Sequence, residues 1–263
     1  MGRVTTTLAI ANQKGGVAKT TTVASLGAAL AELGQRVLLV DLDPQACLTF
    51  SLGIDPEDLE LSVHHVLTKG LAPGEAVIAT EDGVDLLPAT IELARAEADL
   101  LTRTGREHVL KMALEDLAAG EAGGHDWVLL DCPPSLGVLT VAALTAADGV
   151  LIPLQCETLS HRGVGQLLDT VHDVRRFTNR GLEVWGVLPT LYDGRTNHAR
   201  AVLDNISETY ELEVIEPPIP KSIRFAEAPA AGRSILSTAR SNRGANAYRD
   251  VAANLLERAG RST

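Results

Sequence analysis

Short apolar runs alternate with segments of helical periodicity along most of the chain. The runs that predict strands cover residues 8–11, 37–40, 84–87, 127–130, 150–154 and 184–188. Apolar residues at successive positions are typical of strands covered on both faces of a parallel sheet. Between these runs, helical spacing predicts helices at 23–33, from near Thr90, and at 106–119, 140–147 and 164–177. The alternation predicts an α/β fold, a mostly parallel β-sheet with helices on both faces.

The same pattern indicates a single domain over residues 1–263, because no repeat, low-complexity tract or Ser/Gly-rich linker interrupts it. Residues 180–230 are richer in turn-forming residues, and we predict loops and short helices there, on one rim of the domain. In the last helical segment, Tyr248, Val251 and Leu255 recur on one face. We expect this face to pack against the domain body and not to insert into a membrane.

Composition narrows the class of protein further. Of the 263 residues, 45% are hydrophobic and only 3% are aromatic, so the chain can build a large aliphatic core and is not intrinsically disordered. Cys47, Cys132 and Cys156 form no CxxC pair, which excludes a disulfide framework and predicts three buried thiols in a reducing compartment. Since the first residues lack the apolar stretch of a secretion signal, we expect a cytoplasmic protein.

Charge is distributed unevenly along the chain. The net charge is -11, yet residues 221–263 hold eight basic and only three acidic residues. Such an asymmetry fits a basic face that attracts a polyanion, and it equally fits a solvated helical surface. Charge alone leaves both readings open.

A glycine-rich segment, QKGGVAKTT at residues 13–21, lies between the first predicted strand and the first predicted helix. Glycines let backbone N–H groups approach a phosphate chain closely, and the N-terminus of the helix favours its negative charge. Lys19 would neutralise the β- and γ-phosphates, and the Thr20 hydroxyl would complete a magnesium shell. The general pattern GxxxxGK[ST] is not met, because Gln13 and Ala18 occupy its glycine positions.

Carboxylates follow two of the predicted strands. Asp41 and Asp43 end the strand in VLLVDLDPQ at 37–45, and Asp131 ends the strand in WVLLDCPPSLG at 127–137. At the carboxyl ends of parallel strands beside a phosphate loop, these side chains would hold magnesium and an attacking water.

The combination of motifs resembles the ParA/Soj/MinD family of P-loop ATPases, which carry the deviant Walker A sequence KGGxxKT. Within it, the chain is most similar to the short chromosomal or plasmid partition ATPases. Further motifs that carry the resemblance are DLLPATIELA at 85–94, VLIPLQCE at 150–157, TLYDGRT at 190–196, IPKSIRFAEAP at 219–229 and RGANAYR at 243–249.

The resemblance implies a role for each residue of the nucleotide site. Lys14 is the signature lysine, which reaches the partner's phosphates across an ATP-sandwiched homodimer and offsets the repulsion between two buried nucleotides. Lys19 binds phosphate, Asp43 orients the hydrolytic water, and the catalytic set is Lys14, Lys19 and Asp43. Magnesium is held by Thr20, Asp43 and, through water, Asp131. The nucleotide contacts are Lys14, Gly15, Gly16, Val17, Ala18, Lys19, Thr20 and Thr21.

The resemblance also implies nonspecific binding to double-stranded DNA, and hence association with the nucleoid. Because the phosphate loop begins near residue 13, no helix-turn-helix region precedes it, and we expect salt-dependent binding without operator specificity. A centromere-binding, ParB-like partner would trigger the otherwise slow hydrolysis. The residues assigned to DNA are Arg195, Lys221, Arg224, Arg233, Arg240 and Arg243.

The chain departs from the family pattern at two places, and three other functions remain as alternatives. Ala18 replaces the usual glycine; it is harmless in a right-handed helical conformation and costly if its φ is positive. Residues 46–48, Ala-Cys-Leu, replace the common Gly-Asn-Ala. The alternatives are a MinD-like or cargo-positioning ATPase at a membrane or protein array, a metabolic ligase of the same fold such as a dethiobiotin synthetase-like enzyme, and a catalytically silent scaffold.

Overall fold

The computed structural model describes residues 5–120, 122–157, 160–194 and 197–261. Its strands are β1 (Thr6–Ile10), β2 (Val37–Asp41), β3 (Ile78–Ala79), β4 (Asp85–Leu87), β5 (Trp127–Asp131), β6 (Gly149–Gln155) and β7 (Glu183–Thr190). Within the described residues they form one sheet in the order β3-β4-β2-β5-β1-β6-β7. The pair β3–β4 is antiparallel, and the other neighbouring pairs are parallel. The predicted α/β fold with a mostly parallel sheet is confirmed.

Helices connect the strands and cover both faces of the sheet. They are α1 (Lys19–Glu32), α2 (Cys47–Ser51), α3 (Val63–Lys69), α4 (Leu93–Leu101), α5 (Val109–Ala119), α6 (Val138–Ala146), α7 (Ser160–Phe177), α8 (Asn197–Tyr210), α9 (Arg224–Glu227), α10 (Ile235–Thr238) and α11 (Arg243–Arg261).

The sheet separates two hydrophobic cores. Successive side chains of a strand point to opposite faces, so Leu8 and Ile10 of β1 enter one core while Ala9 enters the other. The first core lies under α1 and α11, and the second lies under the helices from α3 to α8. Burial on both faces explains why the strands are apolar at successive positions.

The C-terminal helix α11 packs against the body of the domain through its apolar face, as predicted. Tyr248, Val251 and Leu255 are buried against the core under α1. The Tyr248 hydroxyl also hydrogen-bonds the Thr22 hydroxyl of α1 at 2.9 Å, which ties the two helices together. Among residues 5–120, 122–157, 160–194 and 197–261, no helix is long and apolar enough to cross a membrane.

Two sequence predictions about local structure were wrong. Residues 180–230, predicted as loops and short helices, include α8, a regular helix of 14 residues. Its apolar positions Val202, Leu203 and Ile206 are buried at helical spacing, and the turn-forming residues lie on either side of it. Of the three thiols predicted to be buried, Cys132 is buried, Cys156 is half-buried, and Cys47, the first residue of the short helix α2, is exposed.

Candidate nucleotide site

The predicted phosphate loop lies between β1 and α1, at the carboxyl edge of the sheet. The same edge holds Asp41, Asp43 and Asp131, because β2 and β5 are parallel neighbours in which Asp41 stands beside Asp131. The backbone N–H of Leu42 donates to the Asp131 carbonyl at 3.0 Å and keeps the two strand exits together. The sheet topology therefore brings the sequence motifs into one site.

Two buried polar side chains hold the loop in place. Asn12 donates through Nδ2 to the Pro153 carbonyl at 2.8 Å, and its Oδ1 accepts the backbone N–H of Lys14 at 3.0 Å. The Thr190 hydroxyl at the end of β7 donates to the Val17 carbonyl at 2.9 Å. Neither residue was predicted from the sequence. The signal that could have found them is a polar residue at the exit of a buried strand, where an apolar side chain is otherwise expected.

The loop backbone is open toward solvent. Gly15 and Gly16 are exposed, and a Cβ built on either would meet nothing within 4 Å, so a phosphate chain can reach the backbone N–H groups. Gly16 has a φ of 76°. Ala18 has a φ of 64° and ψ of 35°, directly before α1. Of the two conformations considered for Ala18, the structure has the left-handed one, which strains a residue with a Cβ.

We expect Ala18→Gly to raise the free energy of unfolding by about 0.5–1 kcal/mol. Relief of left-handed strain is worth roughly 1–2 kcal/mol, and the greater freedom of glycine in the unfolded chain offsets part of it. Urea unfolding measures the change. Ala28→Gly in the middle of α1 is the matched control and should destabilise the protein by about 1 kcal/mol. Equal destabilisation by both substitutions would contradict the left-handed conformation of Ala18.

Lys19 is buried at the start of α1 and points back into the loop. Its side chain is 8% exposed, and Nζ donates to the Lys14 carbonyl at 3.3 Å. Burial lowers the pKa of Lys19, while the nearby Asp131 carboxylate opposes that shift. A bound phosphate would add negative charge beside the ammonium group and favour its charged form.

Asp131 has the environment expected of a carboxylate that faces a cation. It is 1% exposed, and among the residues that the structure describes neither carboxylate oxygen has a partner at the distance and angle of a hydrogen bond, although the Thr20 side chain is close enough to interact. Burial and then the charge of Asp41 hold the pKa of Asp131 well above its usual range, while Thr20 and Lys19 favour the charged form. A buried polar group without a partner is costly, and a bound divalent cation would remove that cost.

The residues present fit magnesium. Mg²⁺ prefers oxygen ligands and is usually held by one or two carboxylates together with substrate phosphates. Thr20, Asp43 and Asp131 provide such oxygens at this edge, and their assignment as ligands stays a prediction. Across the described parts of the chain, no group of three His, Cys, Asp or Glu residues forms a metal site by itself. The nucleotide would therefore have to supply part of the coordination.

Asp41 and Asp43 lie in different environments although they are two residues apart. Asp41 is fully buried, and its carboxylate accepts hydrogen bonds from Asp43 and Thr49. Burial raises the pKa of Asp41 to about 6. Asp43 is only half-buried, and its Oδ1 accepts the backbone N–H of Gln45 at 3.0 Å. Asp43 is thus the carboxylate that solvent can reach, as a residue that orients water requires.

Lys14 pairs with a carboxylate from another segment of the chain. Its Nζ forms an ion pair with Glu157 Oε2 at 2.5 Å, and the two side chains are 31% and 52% exposed. Exposed ion pairs contribute only about 0–1 kcal/mol to stability. The ammonium group can therefore exchange this partner for a stronger anion.

The residues assigned to DNA fall into three groups. Lys221, Arg240 and Arg243 are exposed, and Arg224 is exposed but pairs with Glu227 at 2.7 Å. Arg233 is half-buried and pairs with Asp82, whose side chain is 1% exposed, so it joins the β3–β4 turn to α10. Arg195 lies outside the described residues.

Two chain segments bring the exposed basic residues together. The Asn242 amide donates to the Ser222 hydroxyl at 3.4 Å, and Gly244 lies so close to Phe225 that an added Cβ would approach its ring to 2.5 Å. The segment 221–224 and the start of α11 therefore form one surface. We call Lys221, Arg224, Arg240 and Arg243 the basic surface.

The chain is similar to known proteins over nearly its whole length. A family model described as an AAA domain matches residues 5–184. Sporulation initiation inhibitor protein Soj of Bacillus subtilis (strain 168) is 44% identical over 253 residues, which cover 96% of this chain and 97% of Soj. Chromosome partitioning protein ParA of Caulobacter vibrioides (strain NA1000 / CB15N) is 41% identical over 252 residues, which cover 95% of this chain and 94% of ParA.

A solved structure extends the likeness to nucleotide-bound proteins. Cobyrinic acid a,c-diamide synthase from Mycobacterium smegmatis, with a bound ATP analogue and magnesium, is 55% identical to this chain with a TM-score of 0.88. The match covers 99% of this chain and 98% of the synthase chain.

Proposed function

The chain belongs to the ParA/Soj family of partition ATPases, and we propose that it acts as an ATP-dependent dimeric switch that binds DNA without sequence specificity. It is an ATPase that uses ATP and Mg²⁺. In the proposed cycle, ATP closes two subunits around two nucleotides, the dimer coats DNA, and a ParB-like partner triggers slow hydrolysis and release. The cargo would be a chromosome or a plasmid.

The observation that carries the DNA-binding part is the basic surface. Residues 221–263 hold eight basic and three acidic residues in a chain of net charge -11. Contacts of Asn242 and Gly244 join its two segments at an exposed site. A concentrated positive patch on an acidic protein attracts a polyanion and orients it. Dimerisation would double the patch and so strengthen binding to a long duplex.

Each residue of the nucleotide site would have a separate role in ATP hydrolysis. Lys19 and the N-terminus of α1 bind the phosphates, and Asp43 orients water for in-line attack. Magnesium, when bound, neutralises charge on the phosphate oxygens. Without a further cation such as an arginine finger, a phosphate loop hydrolyses slowly. Slow turnover suits a switch that a partner resets.

DNA binding as a function of nucleotide tests the proposal. Binding to an arbitrary duplex is measured at low and moderate salt with ATP, ADP or no nucleotide, and with magnesium throughout. We expect the protein to bind DNA tightly only when ATP is the nucleotide, and we expect this binding to weaken steeply as salt increases. Binding that is absent or equal under all three conditions would contradict the proposal. The same ATP-loaded protein on anionic liposomes tests the MinD-like alternative, for which binding to vesicles instead of DNA is the expected result.

We expect Lys221→Ala to weaken DNA binding for every sequence and to reduce the salt slope by about one, because each phosphate contact releases roughly one counterion. ATP hydrolysis without DNA should stay unchanged. Lys69→Ala is the matched control, since Lys69 is an exposed lysine at the end of α3 outside the basic surface. Equal losses of DNA affinity in the two variants would remove Lys221 from the interface.

One relative favours a second candidate function. The name of the Mycobacterium smegmatis protein describes an enzyme that forms amides on cobyrinic acid, and that protein is 55% identical to this chain. A ligase of this kind would accelerate ATP consumption when cobyrinic acid and an amide-nitrogen donor are added. The proposed switch should respond to DNA and its partner and show no change with those substrates.

A further inference from the structure

We propose that Asp41 is a positioning residue for ATP hydrolysis, which holds Asp43 and α2 in place beside the phosphate loop. The inference rests on the proposed role of Asp43 in orienting water. The proposed role does not require Asp41 to touch the nucleotide, because Asp41 acts through the backbone of Asp43 and through Thr49.

The hydrogen bonds of Asp41 join three segments at the carboxyl edge of the sheet. Its Oδ1 accepts the backbone N–H of Asp43 at 3.1 Å. Its Oδ2 accepts both the backbone N–H and the hydroxyl of Thr49, at 2.9 Å and 2.8 Å. The Thr49 hydroxyl in turn accepts the backbone N–H of Ala89 at 3.0 Å. One carboxylate thus anchors the exit of β2, the helix α2 and, through Thr49, the segment after β4.

A carboxylate is unexpected at this position unless it has such a role. Asp41 is 0% exposed, and the four residues before it in β2 are apolar and buried. A charge buried beside Asp131 is unfavourable, and burial raises the pKa of Asp41 accordingly. The donors from Asp43 and Thr49 offset that cost, because a carboxylate accepts hydrogen bonds at both oxygens.

Neutral or apolar side chains cannot make the same set of bonds. An asparagine has one acceptor oxygen and one amide group that only donates. If its oxygen accepts from Thr49, its amide faces the N–H of Asp43, and the reverse orientation leaves the N–H of Thr49 unpaired. An amide in place of the carboxylate therefore frees one of the two anchored segments while nearly keeping the volume of the side chain.

The central experiment is Asp41→Asn in the full chain. We expect kcat for ATP hydrolysis to fall at least about fivefold, because a freed segment no longer holds the Asp43 carboxylate in place, and small displacements of positioned groups slow a reaction strongly. KM and the Kd for ATP should stay within about twofold, because phosphate binding rests on the loop and Lys19. Steady-state hydrolysis and fluorescent-nucleotide titration separate these quantities.

Asp126→Asn is the matched control. Asp126 is also a buried aspartate, and it accepts the backbone N–H of Arg36 at 2.9 Å, but it lies at the amino edge of the sheet. We expect a similar loss of thermal stability from Asp126→Asn with kcat unchanged. An equal fall in kcat in both variants would reduce Asp41 to a structural residue and overturn the proposal.

Substitutions at Thr49 keep the proposal testable if Asp41→Asn does not fold. Thr49→Ser retains the hydroxyl and its bonds to Asp41 and Ala89, and should keep kcat near that of the unmodified chain. Thr49→Val removes the hydroxyl and should lower kcat without raising KM. Equal kcat in the serine and valine variants would overturn the proposal.

Asp43→Ala separates failure of the inference from failure of its premise. If Asp43→Ala abolishes hydrolysis while Asp41→Asn leaves kcat unchanged, the positioning role alone is wrong. If hydrolysis survives in Asp43→Ala, the role of Asp43 is wrong, and the inference about Asp41 falls with it.

Discussion

Replacing Asp43 by alanine is expected to lower ATP hydrolysis by about 10²–10⁴-fold, the range that a positioned proton acceptor contributes to a reaction. Asp43 is half-buried beside the phosphate loop, and its Oδ1 accepts the N–H of Gln45, which orients the carboxylate. ATP binding and ATP-dependent dimerisation should persist, since Lys14 and Lys19 are unchanged. The variant should accumulate as a dimer that stays on DNA.

Phosphate release and DNA dissociation measured on the same preparation check this expectation. Asp58→Ala is the control, because Asp58 is an exposed aspartate beyond α2. Normal turnover in the Asp43 variant would refute its assignment. Rapid release from DNA with ATP present would show that hydrolysis does not limit dissociation.

Replacing Lys14 by alanine is expected to abolish ATP-dependent dimerisation while ATP binding to the monomer stays largely intact. Two nucleotides face to face bring many negative charges into a low-dielectric interface. Removing one partner of a buried charge pair costs about 3–5 kcal/mol, and the variant dimer loses two such lysines, so its dimerisation constant should fall by roughly 10⁴–10⁷. In the structure, the Lys14 side chain is 31% exposed and pairs with the exposed Glu157, so it is available to a second subunit.

Light scattering after size exclusion, with ATP and with ADP, measures the dimer fraction. Glu157→Gln is the matched variant: it removes the exposed partner of Lys14 and should leave dimerisation intact or slightly strengthened. An unchanged dimer fraction in the Lys14 variant would exclude a cross-subunit role for this lysine. A loss of dimer in Glu157→Gln equal to that in Lys14→Ala would instead indicate that the ion pair itself supports the interface.

Much of the fold could be predicted from the sequence because its signals are local. Each strand that lies between two helical layers must be apolar on both faces, so 127–130 and 150–154 stand out as continuous apolar runs. The phosphate loop could also be found from a local signal, because the short turn before α1 places Lys19 and Thr20 at the start of that helix. The helix α8 was missed because prolines and glycines on either side outweighed its short apolar stripe.

The meeting of the site's carboxylates could be predicted from the sheet topology, but their hydrogen bonds could not. That Asp43 and Asp131 meet follows from parallel strands, whose carboxyl ends share one edge of the sheet. The hydrogen-bonding state of each carboxylate does not follow from that rule. Asp41 binds Thr49, and Asp131 has no hydrogen-bond partner within the part of the chain that the structure describes. Which residue is anchored depends on how α2 packs.

Sequence alone thus determined the layered α/β fold, the positions of its main strands along the chain and the position of the phosphate loop, because periodicity and short motifs encode them locally. Tertiary structure decided the left-handed conformation of Ala18, the pairing of Lys14 with Glu157 and the pairing of Arg233 with Asp82. These last contacts join residues more than a hundred positions apart. Only the packed chain brings such residues within reach of each other, and only then do burial and hydrogen bonding select a partner for each charge.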